Sequence, residues 1–269
     1  MSNPLTYLSA LSTLPDWLRI PLMLAIMVLG LVFVLGPLLL KAQHRIQRNF
    51  ELVPSQPEAV PAVARSLAEA ERPAFEQAGF DWLGYYRLGK YTPNTEAWFG
   101  LYRHRHDAGL GAMTAAIYQL PAVGSPVFAL SYSEVSALFD SGFSLCVNNS
   151  VQAGAFESES KLMLRYPGQP VPLLVQYFRQ VKSRHSRCHH YAPLPVGQEL
   201  GRIRQQLLRE LDDQVRQGIY RLDTAQNQYR LTWTGAIVMT LRHLPPFTWM
   251  RGLAARRLAG AWARRMTNA

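Results

Sequence analysis

An uncharged run of 21 residues, from Ile20 to Leu40, restricts the fold of this chain more than any other feature. Its side chains are mostly Leu, Ile, Val, Met and Phe, which favour insertion at the centre of a bilayer. As a helix the run would be about 31 Å long, which matches the hydrocarbon thickness of a membrane. The sequence therefore predicts a transmembrane helix over residues 20–40, preceded by an extracytoplasmic tail, residues 1–19.

Two other interpretations of the uncharged run fit it less well. A secretory signal peptide has a basic segment before its apolar core, whereas the first 18 residues contain no Lys or Arg. The core helix of a soluble domain is seldom apolar on all sides over such a length. A single membrane-spanning helix is therefore the preferred interpretation.

The basic residues that flank the run predict its orientation. Only Arg19 precedes it, whereas three basic residues follow closely: Lys41, Arg45 and Arg48. Basic flanks are retained on the cytoplasmic side of a membrane. We therefore expect a single-pass protein of the bacterial inner membrane, with its N-terminus outside and its C-terminal domain in the cytoplasm.

The segment that follows the helix has the composition of a linker. Residues 41–60 are basic at first and then rich in proline. Residues 61–190 are predicted to form an α+β domain that begins with a helix. Five strand-like runs separated by short turn signals follow, at 79–88, 97–106, 110–120, 127–138 and 143–147. Short turns favour an antiparallel β-meander, and apolar residues on both faces of some runs indicate that helices cover it.

The remainder, residues 191–269, is predicted to be a basic region of helices and a hairpin that packs on the α+β domain. An amphipathic helix over about 198–217 precedes a hairpin over 219–233, and a further helix begins at Thr234. From Thr224 to Ala269 the chain has seven arginines and no acid, so this segment accounts for +7 of the net charge of +10.

A basic segment on a membrane-tethered domain favours anionic lipid headgroups as its partner. Six residues near the C-terminus are predicted to contact the membrane surface: Arg251, Arg256, Arg257, Trp262, Arg264 and Arg265. A solvated terminal helix that packs partly on the domain is the alternative, because arginines interrupt the apolar face of the helical wheel. Nucleic acid is the other polyanion that a basic segment attracts, and it is the less favoured partner.

The patterns that could support catalysis or metal binding are weak. The sequence His185-x-x-Cys188-His189-His190 has the spacing of metal ligands on a helix, but arginines within it would repel a cation. Ser158 and Lys161 have the spacing of a serine–lysine nucleophile pair without its companion motifs. The sequence therefore predicts no metal and no cofactor, and an enzyme of unrecognised type is only the third hypothesis.

Aromatic residues in the predicted sheet support a second hypothesis, a pocket for an apolar ligand or a lipid. The pocket would lie between the sheet and a helix over 173–183. Its lining would consist of six aromatic residues: Trp82, Tyr86, Trp98, Tyr118, Phe128 and Phe178. An ordinary hydrophobic core explains the same residues more simply.

One local segment has a resemblance to a known family. Gly218-Ile219-Tyr220, a polar turn, Tyr229-Arg230-Leu231-Thr232 and Thr234-Gly235 resemble the wing and following helix of winged-helix DNA-binding domains over about forty residues. The resemblance implies DNA binding, but a basic recognition helix does not precede the segment. As a whole, the chain resembles bacterial single-pass membrane proteins of uncharacterised function, which implies no activity.

The leading prediction is a membrane-anchored, non-enzymatic α+β domain. It would bind a ligand or a protein partner close to the inner leaflet. The anchor, its basic flank and the basic C-terminal segment support this prediction, and the weakness of the catalytic patterns is consistent with it.

Overall fold

The structure is a computed structural model that describes residues 15–107, 109–121, 124–151, 156, 158–185, 188, 190–192, 195–244, 247, 250, 252–254, 257, 260–261 and 264. It has a mixed α+β fold with an apolar N-terminal helix and antiparallel sheets. The helices are α1 (Asp16–Gln43), α2 (Ala62–Gln77), α3 (Val171–Arg184), α4 (Glu199–Arg216) and α5 (Trp233–His243).

Helix α1 contains the whole uncharged run and extends beyond it at both ends. Most of its side chains between Ile20 and Leu35 are exposed, whereas Pro37 near its C-terminal end is buried. Within the described ranges, α1 is the one helix long and apolar enough to cross a membrane.

A seven-stranded sheet forms the centre of the fold, in the order β2-β3-β4-β5-β6-β7-β8. Its strands are β2 (Glu51–Ser55), β3 (Phe80–Thr92), β4 (Thr95–His104), β5 (Leu110–Gln119), β6 (Val127–Leu138), β7 (Ser144–Asn148) and β8 (Lys161–Arg165). Strands β3 to β7 pair antiparallel with their neighbours in chain order. The predicted five-stranded meander is therefore confirmed, and the parallel strand β8 is an addition that the sequence analysis missed.

The segment 41–60, predicted to be a linker, contributes two strands instead. Strand β1 (Arg45–Gln47) pairs with a strand near the C-terminus, and β2 pairs with β3. The linker prediction depended on prolines, but Pro54 lies in an edge strand, where the lack of a backbone N–H is tolerated. Backbone pairing therefore fixes the chain where it leaves α1.

Side chains alternate between the two faces of the large sheet. One face, here the α2/α3 face, packs against helices α2 and α3. Its buried cluster includes Phe75, Tyr102, Val135, Leu145, Leu174 and Phe178. The opposite face, here the α4 face, lies beneath helix α4 and carries Leu101, Met113, Glu134, Cys146 and Lys161.

A second, three-stranded sheet has the order β1-β10-β9, with β9 at Tyr220–Asp223 and β10 at Gln228–Leu231. The hairpin predicted over 219–233 is therefore confirmed. The sheet has its own buried cluster, which contains Ile46, Leu211, Tyr220, Tyr229, Leu231 and Met239. Leu40 of α1 packs against this cluster, so the end of the apolar helix is part of a folded core.

Candidate functional site

The six aromatic residues predicted to line a pocket do not share one cavity. Trp98 and Tyr118 belong to a small buried cluster beside α2. Phe178 is fully buried in the main core, and Trp82 packs against that core. Phe128 lies at the edge of Tyr118 with 43% of its surface exposed. Tyr86 pairs with Phe99 in the sheet, on the α4 face. Five of the six lie on the α2/α3 side of the sheet but in separate places along it, and only Tyr86 lies on the opposite face. Strand-like runs in a sequence do not show how side chains from different strands group together.

The residues predicted to contact the membrane surface are only partly described. Arg257 and Arg264 lie in helical positions with exposed side chains. Arg251, Arg256, Trp262 and Arg265 lie outside the described residues. The membrane-surface role of this segment therefore stays a prediction.

The weak catalytic and metal patterns have other partners in the structure. Cys188 is buried in the main core, and His185 stacks on Phe143 with ring centroids 4.8 Å apart. In the described part of the chain, no three His, Cys, Asp or Glu side chains converge as a metal site requires. The hydroxyl of Ser158 donates to Asp213, whereas Lys161 Nζ donates to Glu210 Oε1 at 2.9 Å. The serine and the lysine are therefore held by two different acids of α4.

A group of charged side chains between the α4 face and helix α4 is the main polar feature of the interior. Lys161 Nζ bridges to Glu210 of α4, and both side chains are mostly buried. Glu134 is 3% exposed, and its Oε2 accepts a hydrogen bond from Asn148 Nδ2 at 3.1 Å. Cys146, fully buried, occupies the strand between them. We refer to Glu134, Cys146, Asn148, Lys161 and Glu210 as the buried polar cluster.

Burial determines the protonation of this cluster. Burial raises the pKa of Glu134, although Lys161 and Asn148 oppose the shift. Burial also raises the pKa of the Cys146 thiol well above its usual value, so the thiol is protonated at neutral pH. Burial alone would lower the pKa of Lys161, but the neighbouring acids Glu210 and Glu134 raise it, so the ammonium group is charged. The cluster thus holds a protonated thiol, which is a poor nucleophile.

A cavity of about 100 Å³ adjoins the buried polar cluster. Apolar side chains from the sheet and from α4 form much of its wall, and Glu134, Lys161 and Glu210 contribute the polar part. Pockets for drug-sized ligands are typically about 300–1,000 Å³. The cavity therefore has room for only a very small ligand.

Further polar contacts connect α4 to the same face of the sheet. Arg103 Nη1 donates to Glu199 Oε1 at 3.0 Å. Arg202 Nη2 donates to the carbonyl oxygen of Gly109 at 2.6 Å. Burial lowers the pKa of Arg202, whose guanidinium remains charged at neutral pH because the ordinary value is so high. These contacts hold α4 in place along the α4 face.

A larger cavity lies at the other end of the α4 face, beside the C-terminal end of α1. Its volume is about 500 Å³, within the usual range for ligand pockets. Gln43 and His44 border it on the α1 side, and its wall includes Leu88, Tyr91, Ala97, Phe99, Ile117 and Tyr132. We refer to it as the junction cavity. The sequence analysis missed it because its lining joins strand residues to the end of a helix more than forty residues earlier.

The comparisons with known proteins provide no function for either cavity. Neither the models of protein families, nor curated proteins, nor solved structures give a match to this chain. The site must therefore be interpreted from its own chemistry. Two features supply that chemistry. The buried polar cluster lies beneath α4, with Lys161 paired to Glu210 and the Cys146 thiol protonated, and the junction cavity lies beside the end of α1.

Replacing Lys161 with Met tests whether the buried polar cluster stabilises the fold. The variant would leave Glu134 and Glu210 without their cation, and breaking a buried pair in this way costs about 3–5 kcal/mol. Thermal unfolding in detergent should show this loss. Arg72→Met, which breaks the exposed pair with Glu76, is the matched control and should cost less than about 1 kcal/mol. Equal effects of the two variants would contradict the assigned role.

The pH dependence of stability in Glu134→Gln tests the effect of burying this carboxyl group. The raised pKa means that the folded state holds the Glu134 proton more tightly than the unfolded state does. The stability that this group contributes is therefore complete below its ordinary pKa of 4.5 and decreases as pH rises through its higher pKa in the folded state. Gln keeps the acceptor for Asn148 and does not titrate.

We therefore expect Glu134→Gln to gain stability relative to the parent chain as pH rises from 4.5 towards 7.5. Unfolding temperatures measured across this range check the expectation. Glu58→Gln, in which the replaced carboxyl group is exposed, controls for the loss of one negative charge. Parallel pH profiles for the parent and Glu134→Gln would refute the expectation.

Proposed function

We propose that this protein is a membrane-anchored, non-enzymatic binding domain that works at the cytoplasmic surface of a bacterial inner membrane. The observation that carries the proposal is the contrast between the exposed length of α1 and its buried end. Its apolar side chains are exposed along most of its length, and yet its last turn packs into the core of the following domain.

The exposed surface of α1 supports its role as an anchor. Met27, Leu29 and Val34 have 62%, 52% and 61% of their surfaces exposed. Exposing many large apolar side chains to water costs free energy in proportion to their area. A bilayer removes that cost, because hydrocarbon surrounds the helix on all sides. The length of the uncharged run supports a complete crossing.

The junction between α1 and the domain supports a fixed position close to the lipid. His44, the residue after α1, forms a hydrogen bond between its Nε2 and the Tyr220 hydroxyl at 2.9 Å. The next residue, Arg45, is paired in strand β1 with Arg230. With strand pairing directly after the helix, the domain has little freedom to move away from the membrane surface.

The charges near the junction support the proposed orientation. Lys41, Arg45 and Arg48 all lie within eight residues of the end of the uncharged run. Lys41 Nζ lies 4.2 Å from the centroid of the Trp233 ring, so its charge stays beside the domain. Basic groups at this level favour the cytoplasmic, anionic leaflet.

A binding role is better supported than catalysis. The charged groups of the buried polar cluster are paired, and its thiol is protonated. The small cavity beside it limits the size of any substrate. The junction cavity has the volume of a ligand pocket but is lined largely by apolar and aromatic groups. These features favour binding without chemical conversion.

The double variant Leu29→Arg/Leu31→Arg tests the anchor. Each arginine at the centre of a membrane helix costs about 2.5–3.5 kcal/mol on insertion scales. We expect the full-length parent to float with membranes in a density gradient after an alkaline wash, and the variant to lose this behaviour. Val53→Arg/Val63→Arg places the same charges at exposed positions of the domain and should float like the parent. The anchor would be refuted if the Leu29→Arg/Leu31→Arg variant floats with membranes, or if the parent does not float.

A second candidate function is the binding of a lipid or another apolar ligand in the junction cavity. The observation that favours it is the position of this cavity, since its border includes Gln43 and His44, three and four residues after the uncharged run. An acyl chain in this cavity would contact Leu88, Phe99 and Ile117. This proposal keeps the predicted ligand class but replaces the six predicted lining residues.

Filling the junction cavity tests this second function. Ala97→Phe adds a ring to its wall, and we expect at least tenfold weaker binding of a fluorescent fatty acid to the full-length protein in detergent. Val127→Phe, at an exposed position of β6, is the matched control and should bind like the parent. Unchanged affinity in Ala97→Phe, with folding verified by circular dichroism, would exclude the cavity as the binding site.

A further inference from the structure

Helix α5 packs against the C-terminal part of α1, and the two helices run in opposite directions. Near the end of α1, Lys41 Nζ lies over the ring of Trp233, the first residue of α5. Five residues earlier in α1, a Cβ atom added to Gly36 would lie 2.9 Å from Cγ2 of Thr240. Residues earlier in α1 therefore lie beside residues later in α5.

This pairing sets the depth of α5 relative to the uncharged run. Leu40 is the last residue of the run, and Gly36 lies four residues before it. At 1.5 Å per residue, Gly36 and its neighbour Thr240 lie about 6 Å inside the end of the run. Trp233 lies at the level of Lys41, which is the level expected for the headgroups. Helix α5 therefore extends from the headgroup level into the apolar layer.

The outward side of α5 is apolar at these depths. Trp233 and Ile237 are one helical turn apart and expose 50% and 45% of their surfaces. At the same level, Leu38 and Leu39 of α1 are also exposed. Tryptophan is enriched where the headgroups meet the acyl chains, and isoleucine favours the hydrocarbon below.

The polar groups of α5 are compatible with a low-dielectric environment. The Thr240 hydroxyl, which faces Gly36, donates to the carbonyl oxygen of Ala236 at 2.9 Å. The Thr232 side chain caps the helix by accepting from the Gly235 N–H at 3.0 Å. The helix contains no acid. Close contact at a glycine and a threonine is typical of helices packed within membranes.

Arg242, near the end of α5, extends towards the domain. Its guanidinium carbon lies 5.8 Å from the ring of Phe156, which in turn contacts Tyr220 of β9. A long basic side chain can keep its charged group near the headgroups while its aliphatic part lies in apolar surroundings. The position of Arg242 thus agrees with a partly immersed helix.

From these contacts we infer that α5 is a second membrane-embedded element, with Trp233 at the headgroup level and Ile237 in the upper acyl layer. The partner of this surface is the lipid bilayer, and the inference rests on the proposed anchoring by α1. Together, α1 and α5 form a two-helix base that fixes the rotation as well as the height of the domain. A lone helix would fix only the height.

A fluorescent probe at position 237 of the full-length protein tests this inference. Ile237→Cys is labelled with a nitrobenzoxadiazole dye and reconstituted in nanodiscs of phosphatidylcholine and phosphatidylglycerol. Both native cysteines are buried, so the parent serves as the labelling blank. We expect blue-shifted emission, quenching by a lipid with a shallow spin label and an iodide quenching constant several-fold below that of an aqueous probe.

Two further labelled variants make the outcome specific. Val63→Cys, at an exposed position of α2, provides the aqueous reference, and Leu29→Cys reports the insertion of α1. A probe at 237 that behaves like the one at 63, while the probe at 29 is shielded from iodide, would overturn the role of α5 and leave the anchor intact. Iodide access to the probe at 29 would overturn the anchor and this inference together.

Discussion

The packing of the last turn of α1 into the core of the small sheet is the contact on which the other features depend. Leu40 joins the cluster around Tyr220 and Tyr229, and His44 bonds to Tyr220 immediately afterwards. Because this contact joins α1 directly to the small sheet, the position of α1 determines the position of the junction cavity and of α5. A flexible linker would have left all three independent.

The α4 face is divided into two chemically different halves that share the same strands. Phe99 and Tyr132 border the junction cavity, whereas Leu101 and Glu134, two residues further along β4 and β6, border the smaller cavity beside the buried polar cluster. In the polar half, Lys161, Arg103 and Arg202 each connect a strand or its neighbouring turn to α4. The charges therefore act as attachments for α4, and the half nearer to α1 has the larger cavity.

The sequence predicted those features that have a local signal. The uncharged run and the strands of the meander each show their own pattern, because hydrophobicity and turn residues act over short distances. Strand β1 has only three residues, and its partner β10 lies more than 180 residues away, so no local pattern identifies it. Glu134, Lys161 and Glu210 are likewise single charges on three separate elements, and only the fold brings them together. The aromatic residues were identified correctly as apolar, but five of the six lie on the α2/α3 side in separate groups and only Tyr86 lies on the α4 face. The sequence shows that such residues are apolar but not which of them pack together.

The C-terminal hairpin shows how tertiary contacts change the meaning of a local resemblance. Its residues resemble a wing and the helix that follows it, yet β10 of the hairpin pairs with β1, directly after α1. The following helix, α5, packs on α1 through Thr240 and Gly36. These contacts give the hairpin and α5 a structural role at the end of the apolar helix, one that requires no nucleic acid. If lipid is the solvent of α1, the same contacts bring the apolar side of α5 into that solvent.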